Sequence, residues 1–422
     1  MMNPRTQRKF SLAQVMAVAS IFLLPLQSSF AQQNTKELHL TLTNPLNMER
    51  VDEMVVIAPA QLSSKFSLKE ASGFLVFQRD QEIPSQWIVA EGSEGLGFVL
   101  PKIGAKETIE VRIILAPKGH LSEYTKRTQA ELSHKFGGEF KGREYLGGHF
   151  ENVQSLHVPA EHTDHSWFIR YEGPGWESDL VAYRFYLDWR NGIDVFGKKV
   201  HEMVLQNVGK DGFDSYHEPA EWGMDVLKVG KTLGLGSIAT WENNVARRVD
   251  VTDSLYAEIP DNGPVYSSVL TKYYGWNLPS GKTDIRSLIS IHAGTRLSKV
   301  ALTASSPLPN FATGLIKDPK GELIKGDGGH AFNYIATYGA QSLNNDKLGI
   351  AVIYPVVQLK EVTEDELSHV LVFNSEGKSL SYYILAAWEL EPNGIQDETE
   401  FKSYLDEQVL KLSSPLEIKI QN

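Results

Sequence analysis

The chain has 422 residues, no cysteine and a formal net charge of −11 at pH 7. The lack of cysteine excludes a disulfide framework, a thiolate nucleophile and attachment as a lipoprotein. The acidic balance argues against a nucleic-acid partner, because duplex binding needs a basic face that displaces counterions. It does not exclude an anionic ligand, since a few arginines can dominate the electrostatic field of a cleft.

The first 31 residues are typical of a secretory signal peptide. Residues 5–9 carry basic side chains, residues 10–26 form an apolar run, and Ala31 ends a small-x-small cleavage motif. A short membrane anchor is the alternative interpretation. No later stretch of the sequence is apolar enough to span a bilayer. We therefore expect a periplasmic or secreted protein, cleaved after Ala31.

Short segments in which apolar and polar residues alternate recur along the chain. In residues 38–43 Leu alternates with His or Thr, and residues 109–113 follow the same pattern. Turn sequences such as residues 261–264 and 392–394 separate these segments. The pattern predicts an all-β fold with few helices. We expect a small N-terminal β-sandwich and then a large antiparallel two-layer sandwich, a mutarotase-like supersandwich.

Changes in the spacing of the strands predict the domain organisation. Residues 32–117 are expected to form the N-terminal β-sandwich, and residues 118–138 a helical linker that ends at a pair of glycines. Residues 139–422 are expected to form the large catalytic sandwich. Near its end, residues 401–412 carry apolar side chains at helical spacing, which predicts one amphipathic helix before a last strand at residues 416–420.

Residues 183–190 predict a strand with one apolar and one polar face. The side chains that share the polar face are Arg184, Tyr186, Asp188 and Arg190. Such a row can line a binding surface, where an arginine holds a carboxylate or sulfate through paired N–H groups. It can also be a solvated surface with cross-strand salt bridges. The sequence leaves both interpretations open.

Two histidines enclose an acidic residue upstream of this strand. His162 and His165 lie on either side of Asp164. A His-x-x-His spacing with a carboxylate suits a divalent metal such as zinc, although a structural metal site needs three or four ligands and the sequence does not show the others. The same histidines suit acid–base catalysis or substrate binding. A divalent metal is the one cofactor that the sequence suggests.

Residues 211–219 form a loop-like segment that concentrates proton-transfer groups. Tyr216, His217 and Glu218 are consecutive, and Pro219 follows them. On a strand Tyr216 and His217 would point to opposite faces, so the backbone must turn if both are to reach one cleft. His217 is the first candidate for a general acid or base, because the ordinary pKa of histidine lies near neutrality. A buried, hydrogen-bonded structural histidine is the alternative.

A second loop with neighbouring aromatic residues lies at residues 327–332. Its His330 could complete a cleft from a distant part of the chain, although a loop histidine can also be merely exposed. The sequence contains no Gly-x-Ser-x-Gly elbow and no phosphate-binding loop of the Walker type. These absences argue against a serine hydrolase of the α/β type and against a nucleotide site.

Three segments of the sequence resemble the DUF4861 family of secreted bacterial proteins from polysaccharide-utilisation gene clusters. They are residues 170–179 (RYEGPGWESD), residues 183–191 (YRFYLDWRN) and residues 211–229 (DGFDSYHEPAEWGMDVLKV). The similarity covers nearly the whole chain after residue 31. It implies an oligosaccharide dehydratase of ulvan breakdown, which removes water from a non-reducing-end glucuronate and leaves a 4,5-unsaturated uronate. No catalytic residues are carried over from the family.

Such a dehydration needs a base for the C5 proton, an acid for the leaving 4-hydroxyl and a group that neutralises the carboxylate. The expected catalytic residues are His217, Tyr216, His165 and His162. The expected substrate-binding residues are Arg170 and Arg184 for the carboxylate, Trp176 and Trp222 as stacking platforms, and also Glu218 and His330.

The expected partner is an acidic oligosaccharide, and three other functions remain open. A β-eliminating polysaccharide lyase would use the same groups but expel a sugar instead of water. A non-catalytic oligouronide-binding protein would use only the recognition residues. A mutarotase-like epimerase would use paired histidines and carboxylates for ring opening.

Overall fold

The computed structural model describes residues 36–421, apart from residues 70–72, 119, 121, 213–214 and 375–377. The signal peptide that we predict at residues 1–31 lies outside these residues and stays a prediction. Most of the described chain is antiparallel β-strand, which confirms the all-β fold class. Among the described residues, no helix is both long and apolar enough to cross a membrane.

The N-terminal part of the described chain forms seven strands and one short helix, α1 (Pro59–Ser63). Its strands are β1 (Glu37–Thr43), β2 (Arg50–Ile57), β3 (Phe74–Gln78), β4 (Gln81–Ile83), β5 (Ser85–Ile88), β6 (Gly95–Ile103) and β7 (Thr108–Leu115).

The remaining chain alternates strands with irregular connections. Its first strands are β8 (Thr128–Glu131), β9 (Ser133–Lys141), β10 (Glu144–Asn152), β11 (Ser155–His157), β12 (Gly175–Ser178), β13 (Ala182–Phe185), β14 (Ile193–Lys198), β15 (Gly223–Asp225), β16 (Ala239–Glu242) and β17 (Val245–Arg248). Short 3-10 helices lie at Arg170–Glu172, Leu205–Asn207, Ser215–His217 and Val356–Gln358.

Longer strands follow, together with the second helix. They are β18 (Ser254–Asn262), β19 (Tyr266–Leu278), β20 (Gly281–His292), β21 (Ser298–Ala304), β22 (Phe311–Ile316), β23 (Gly321–Lys325), β24 (Phe332–Gly339), β25 (Leu348–Pro355), β26 (Leu359–Glu364), β27 (Ser368–Phe373), β28 (Ser379–Trp388), α2 (Glu398–Ser413) and β29 (Glu417–Gln421).

The N-terminal strands form a small sandwich, as the sequence predicts. A five-stranded sheet in the order β29-β1-β7-β3-β4 faces a three-stranded sheet in the order β2-β6-β5. Because side chains alternate between the faces of a strand, Leu40 and Val111 of one sheet meet Ile57 and Phe98 of the other in a closed apolar core. The last strand of the chain, β29, completes the first sheet by pairing with β1.

The large sandwich consists of one wide sheet and two smaller ones. The wide sheet has nine strands in the order β11-β18-β19-β20-β21-β28-β25-β24-β23. The smaller sheets have the orders β15-β14-β13-β12-β8 and β17-β16-β22-β27-β26. One apolar cluster joins all three, for example through Trp176, Val300 and Phe311. The core therefore lies between the wide sheet and the two smaller ones, which confirms the two-layer prediction.

The helical linker predicted at residues 118–138 is wrong. This segment contains β8 and the start of β9, and β8 pairs with β12 so that Ala130 lies opposite Trp176. Both of these side chains are buried, and the pairing satisfies the backbone hydrogen-bonding groups of the segment. Tertiary pairing thus outweighs the weak helical preference of a short polar sequence.

The predicted C-terminal helix is confirmed as α2. Asp397 caps it by accepting a hydrogen bond from the Glu400 backbone N–H at 2.8 Å. Phe401, Leu405 and Val409 are buried at helical spacing, and the helix packs on β24 and β25. The chain then returns to the N-terminal sandwich as β29.

Removal of residues 416–422 should destabilise the N-terminal sandwich. The truncation strips β1 of one hydrogen-bonded neighbour and removes Leu416 and Ile420, which pack on its core. We expect a loss of about 2–4 kcal/mol in the free energy of unfolding, measured in urea. The control Lys419→Ala changes an exposed side chain of the same strand and should cost about 0.5 kcal/mol or less. Equal stability of both variants would contradict this role of β29.

Candidate functional site

Three short strands of one small sheet bring a cation and two carboxylates together. Arg184 of β13 lies directly opposite Asp194 of β14, and Asp225 of β15 lies opposite Phe196 of β14. The neighbouring Tyr183 and Val195 point to the opposite face of the sheet, into the main core. The three ionic side chains therefore share the face that is turned away from the wide sheet.

Arg184 is buried, and polar groups of the protein surround its guanidinium. Its Nε and Nη2 donate to Asp194 Oδ2 at 3.0 and 2.7 Å, and Nη2 also donates to Asp225 Oδ2 at 2.5 Å. Its Nη1 donates to the Tyr216 hydroxyl at 3.0 Å. A buried charge needs such partners, because desolvation without them is very unfavourable.

Two tyrosines extend this arrangement. The Tyr186 hydroxyl accepts from Arg184 Nη2 at 2.8 Å and donates to Asp194. Burial raises the pKa of Asp194 to about 6, and the charge of Asp225 adds to this effect. Burial also raises the pKa of Tyr216 to about 12, so its phenol stays protonated at neutral pH. We call Arg184, Tyr186, Asp194, Tyr216 and Asp225 the Arg184 network.

His217 is the point at which the Arg184 network meets solvent. Its side chain is 41% exposed, and its Nε2 lies 3.4 Å from Asp225 Oδ2. The hydrogen bond with Asp225 raises the pKa of His217 above its ordinary value, although partial burial opposes the rise. The 3-10 turn at Ser215–His217 directs Tyr216 inward and leaves His217 exposed. The backbone thus turns at this point and the two rings lie 4.7 Å apart, but only His217 is exposed to solvent.

A second ionic cluster surrounds Arg190. Its Nη1 lies 3.0 Å from Asp164 Oδ1, its Nη2 2.9 Å from Glu172 Oε1, and its Nε donates to Asp188 Oδ1 at 2.9 Å. The guanidinium also lies 3.8 Å from the centre of the Tyr186 ring. Tyr186 therefore joins this Arg190 cluster to the Arg184 network.

His165 is the exposed member of the Arg190 cluster. Its Nδ1 lies 2.6 Å from Asp164 Oδ1, and its backbone N–H donates to Glu172 Oε1 at 2.8 Å. Asp164, His165 and Glu172 offer ligand atoms within 4.8 Å of one another. Arg190, however, already neutralises both carboxylates, so a divalent ion would have to compete with a bound guanidinium. The arrangement does not favour a metal, and His162 is not part of it.

Backbone strain is concentrated around these clusters. His165, Trp167, Tyr171, Glu172 and Asn191 all adopt positive φ angles, between 37° and 71°. Residues other than glycine rarely occupy this region, and each instance costs of the order of 1–3 kcal/mol. Such strain persists only where the surrounding structure imposes it, and it is typical of functional sites.

Three predicted site residues are structural instead. Arg170 is buried and donates to Ser133 Oγ and to two backbone carbonyls, while its Nη2 pairs with Glu131. Trp176 is fully buried, and its Nε1 donates to Ser298 Oγ at 2.8 Å. A substrate cannot reach either side chain, so the carboxylate-binding and stacking roles that we predict for them are wrong.

His162 is the third of these residues. It is buried, and its Nδ1 lies 2.8 Å from Ser166 Oγ. Burial lowers its pKa, so the imidazole is neutral at pH 7. The direct catalytic role that we predict for His162 does not fit this buried, hydrogen-bonded position.

The other predicted residues differ in their relation to the Arg184 network. Trp222 is partly buried and lies beside the network. Its ring packs edge-on against the Phe196 ring, and the two ring centres are 6.0 Å apart. Glu218 is exposed directly after His217. His330 is exposed on the loop between β23 and β24, at the edge of the wide sheet, and the contacts of the described residues do not connect that loop to the network.

The strand predicted at residues 183–190 is shorter than expected. It ends at Phe185, yet all four side chains of its polar face enter the two ionic clusters. The sequence-based interpretation missed the carboxylates of Asp194, Asp225 and Glu172. Asp194 stands in the otherwise apolar run from Ile193 to Phe196, and this isolated charge is the signal that could have identified it.

The fold and the site define an all-β double sandwich with an exposed histidine at the end of a buried ionic network. The family model described as "Domain of unknown function (DUF4861)" matches residues 42–418, so the chain belongs to this family. No curated protein matches the chain in sequence.

Two solved structures from Enterococcus faecalis are similar to this chain. One is an alpha-mannosidase from strain V583, with 10% identity and a TM-score of 0.47 over 92% of this chain and 46% of its own. The other is a protein in the glycosyl hydrolase family 38, with 9% identity and a TM-score of 0.41 over 92% and 47%. The chain thus spans less than half of the length of either protein.

Arg170→Met should destabilise the protein, because Arg170 has a structural role. The substitution leaves Glu131 as a buried charge without its partner, so we expect a loss of about 3–5 kcal/mol in the free energy of unfolding, measured in urea. The control Arg112→Met breaks a partly exposed pair with Glu37 and should cost about 1 kcal/mol or less. A stable Arg170→Met protein would show that Arg170 is not needed for the fold.

Proposed function

We propose that this protein is an exported carbohydrate-active enzyme that dehydrates the non-reducing-end glucuronate of uronate-containing oligosaccharides. The product is a 4,5-unsaturated uronate, and ulvan-like oligosaccharides are the substrate class. The reaction class is the one that the sequence resemblance to secreted DUF4861 proteins implies. The observation that carries the proposal is the exposed imidazole of His217, held against the buried carboxylate of Asp225.

A histidine in this setting is suited to proton abstraction. Asp225 orients the imidazole and stabilises its protonated form, which raises its pKa and makes the neutral imidazole a stronger base. In the proposed step neutral His217 takes the C5 proton, the C4–O bond breaks, and a double bond forms between C4 and C5. The protonated imidazole can then return the proton to the departing 4-oxygen, which leaves as water.

The remaining members of the Arg184 network act through His217. Arg184 and Tyr216 are buried, so neither is a direct partner of the substrate in this arrangement. Arg184 fixes Asp225, and the Tyr216 ring lies 4.7 Å from the His217 ring. The roles that we predict from the sequence, carboxylate binding for Arg184 and general acid catalysis for Tyr216, therefore do not fit. Both residues instead position the base.

His217→Gln should remove the activity. The assay incubates saturated, glucuronate-terminated oligosaccharides with the protein and follows the loss of about 18 mass units and the ultraviolet absorbance of the unsaturated product. We expect the rate to fall by about 10²–10⁴-fold, because a positioned acid–base group contributes this much. The matched control is His330→Gln, which changes another exposed histidine and should keep the wild-type rate.

The products separate the proposal from its alternatives. A wild-type protein that expels a sugar instead of water would be a lyase, and one that binds the oligosaccharide without changing its mass would be a binding protein. Wild-type activity in His217→Gln would contradict the role of His217. Each of these three outcomes would overturn the corresponding part of the proposal.

A further inference from the structure

A cleft of about 430 Å³ lies on the opposite side of the large sandwich from His217. Strand β2 of the N-terminal sandwich, the outer face of the wide sheet and the end of α2 form its walls. Its volume falls in the range of small-molecule sites in proteins. None of its lining residues belongs to the Arg184 network or the Arg190 cluster.

Three polar side chains form a row on the floor of this cleft. Ser290 of β20 lies opposite Lys299 of β21, and Lys299 lies opposite Tyr383 of β28. Their neighbours Val300 and Ile384 point into the main core, so the three polar side chains point to the outer face and into the cleft. Residues paired across neighbouring strands lie about 5 Å apart, which lets the three groups bind one ligand.

Lys299 supplies a positive charge, and the two carboxylates that line the same cleft pair with other cations: Asp52 with Arg127, and Glu53 with Arg50 and Lys411. Arg50 and Lys411 also line the cleft, but both pair with Glu53. Within the part of the chain that the structure describes, Lys299 has no hydrogen bond or ion pair from its ammonium group. Lys299 is partly buried, and an ammonium group without a counter-ion favours an anionic ligand.

Hydroxyl groups and an apolar wall complete the cleft. Burial raises the pKa of Tyr383, so its phenol remains a hydrogen-bond donor at neutral pH. Tyr266 adds a second phenol to the lining. Leu297 and Leu416 add an apolar surface to the lining. A carboxylate, several hydroxyls and an apolar C–H face occur together in a carboxylated sugar.

We propose that this cleft binds a carboxylated sugar residue such as a uronate. Lys299 holds the carboxylate, Tyr383 and Ser290 bind ring hydroxyls, and the leucines contact the C–H face of the ring. The site is separate from His217 and does not depend on the proposed dehydration. It would give the protein a second point of contact with an acidic oligosaccharide.

Calorimetry with D-glucuronate, with D-glucose and acetate as comparison ligands, tests this proposal. We expect D-glucuronate to bind the wild-type protein more tightly than either comparison ligand. Lys299→Met should weaken D-glucuronate binding by about tenfold or more, the effect of losing a hydrogen bond to a charged group. Tyr383→Phe removes one hydroxyl and should weaken binding several-fold, and it serves as a second variant if Lys299→Met does not fold.

The matched control is Lys272→Met, which changes a partly buried lysine on the same outer face of the wide sheet, outside the cleft. It should bind like the wild type, and His217→Gln should keep the binding that Lys299→Met loses. No binding of D-glucuronate, or equal binding by Lys299→Met and the wild type, would overturn the proposal. If binding is lost in His217→Gln but kept in Lys299→Met, the sugar binds at His217. That result would also overturn the proposed cleft site, but it would not contradict the proposed dehydration.

Discussion

The ion triad of Arg184 with Asp194 and Asp225 is the interaction on which the candidate site depends. All three side chains are buried, so each charge is stable there only because the others are present. Asp225 has a further partner in His217, which links the buried triad to the solvent. The position and the protonation of His217 therefore depend on the pairing of β13, β14 and β15, which brings the three charged side chains together.

The distribution of charge also restricts how the protein would recognise the acidic substrate that we propose. Arg170, Arg184 and Arg190 are all neutralised by carboxylates of the protein itself. None is available as a free clamp for a uronate, because the approach of a second anion would require the loss of a buried ion pair. Under the functions proposed above, recognition of a uronate relies on less fully paired cations, and Lys299 in the cleft beside β2 is one.

The alternation of apolar and polar residues was sufficient to predict the fold class, since a half-buried strand imposes a period of two. It also placed Arg184 and Tyr186 on one face, and they do contact each other. The sequence could not show that Asp225, 41 positions after Arg184, is its partner, because that contact arises from strand pairing. The spacing of residues in the sequence likewise could not distinguish the exposed His217 from the buried His162, since burial depends on the whole fold.

The most direct test of the central claim is the pKa of the His217 imidazole, measured by NMR in the wild-type protein and in Asp225→Asn. Because a hydrogen bond with a carboxylate favours the protonated ring, we expect the wild-type pKa to lie above the ordinary value of 6.5. It should fall in the variant, whose fold is checked by circular dichroism. A wild-type pKa at or below 6.5, or the same pKa in a folded variant, would contradict the account.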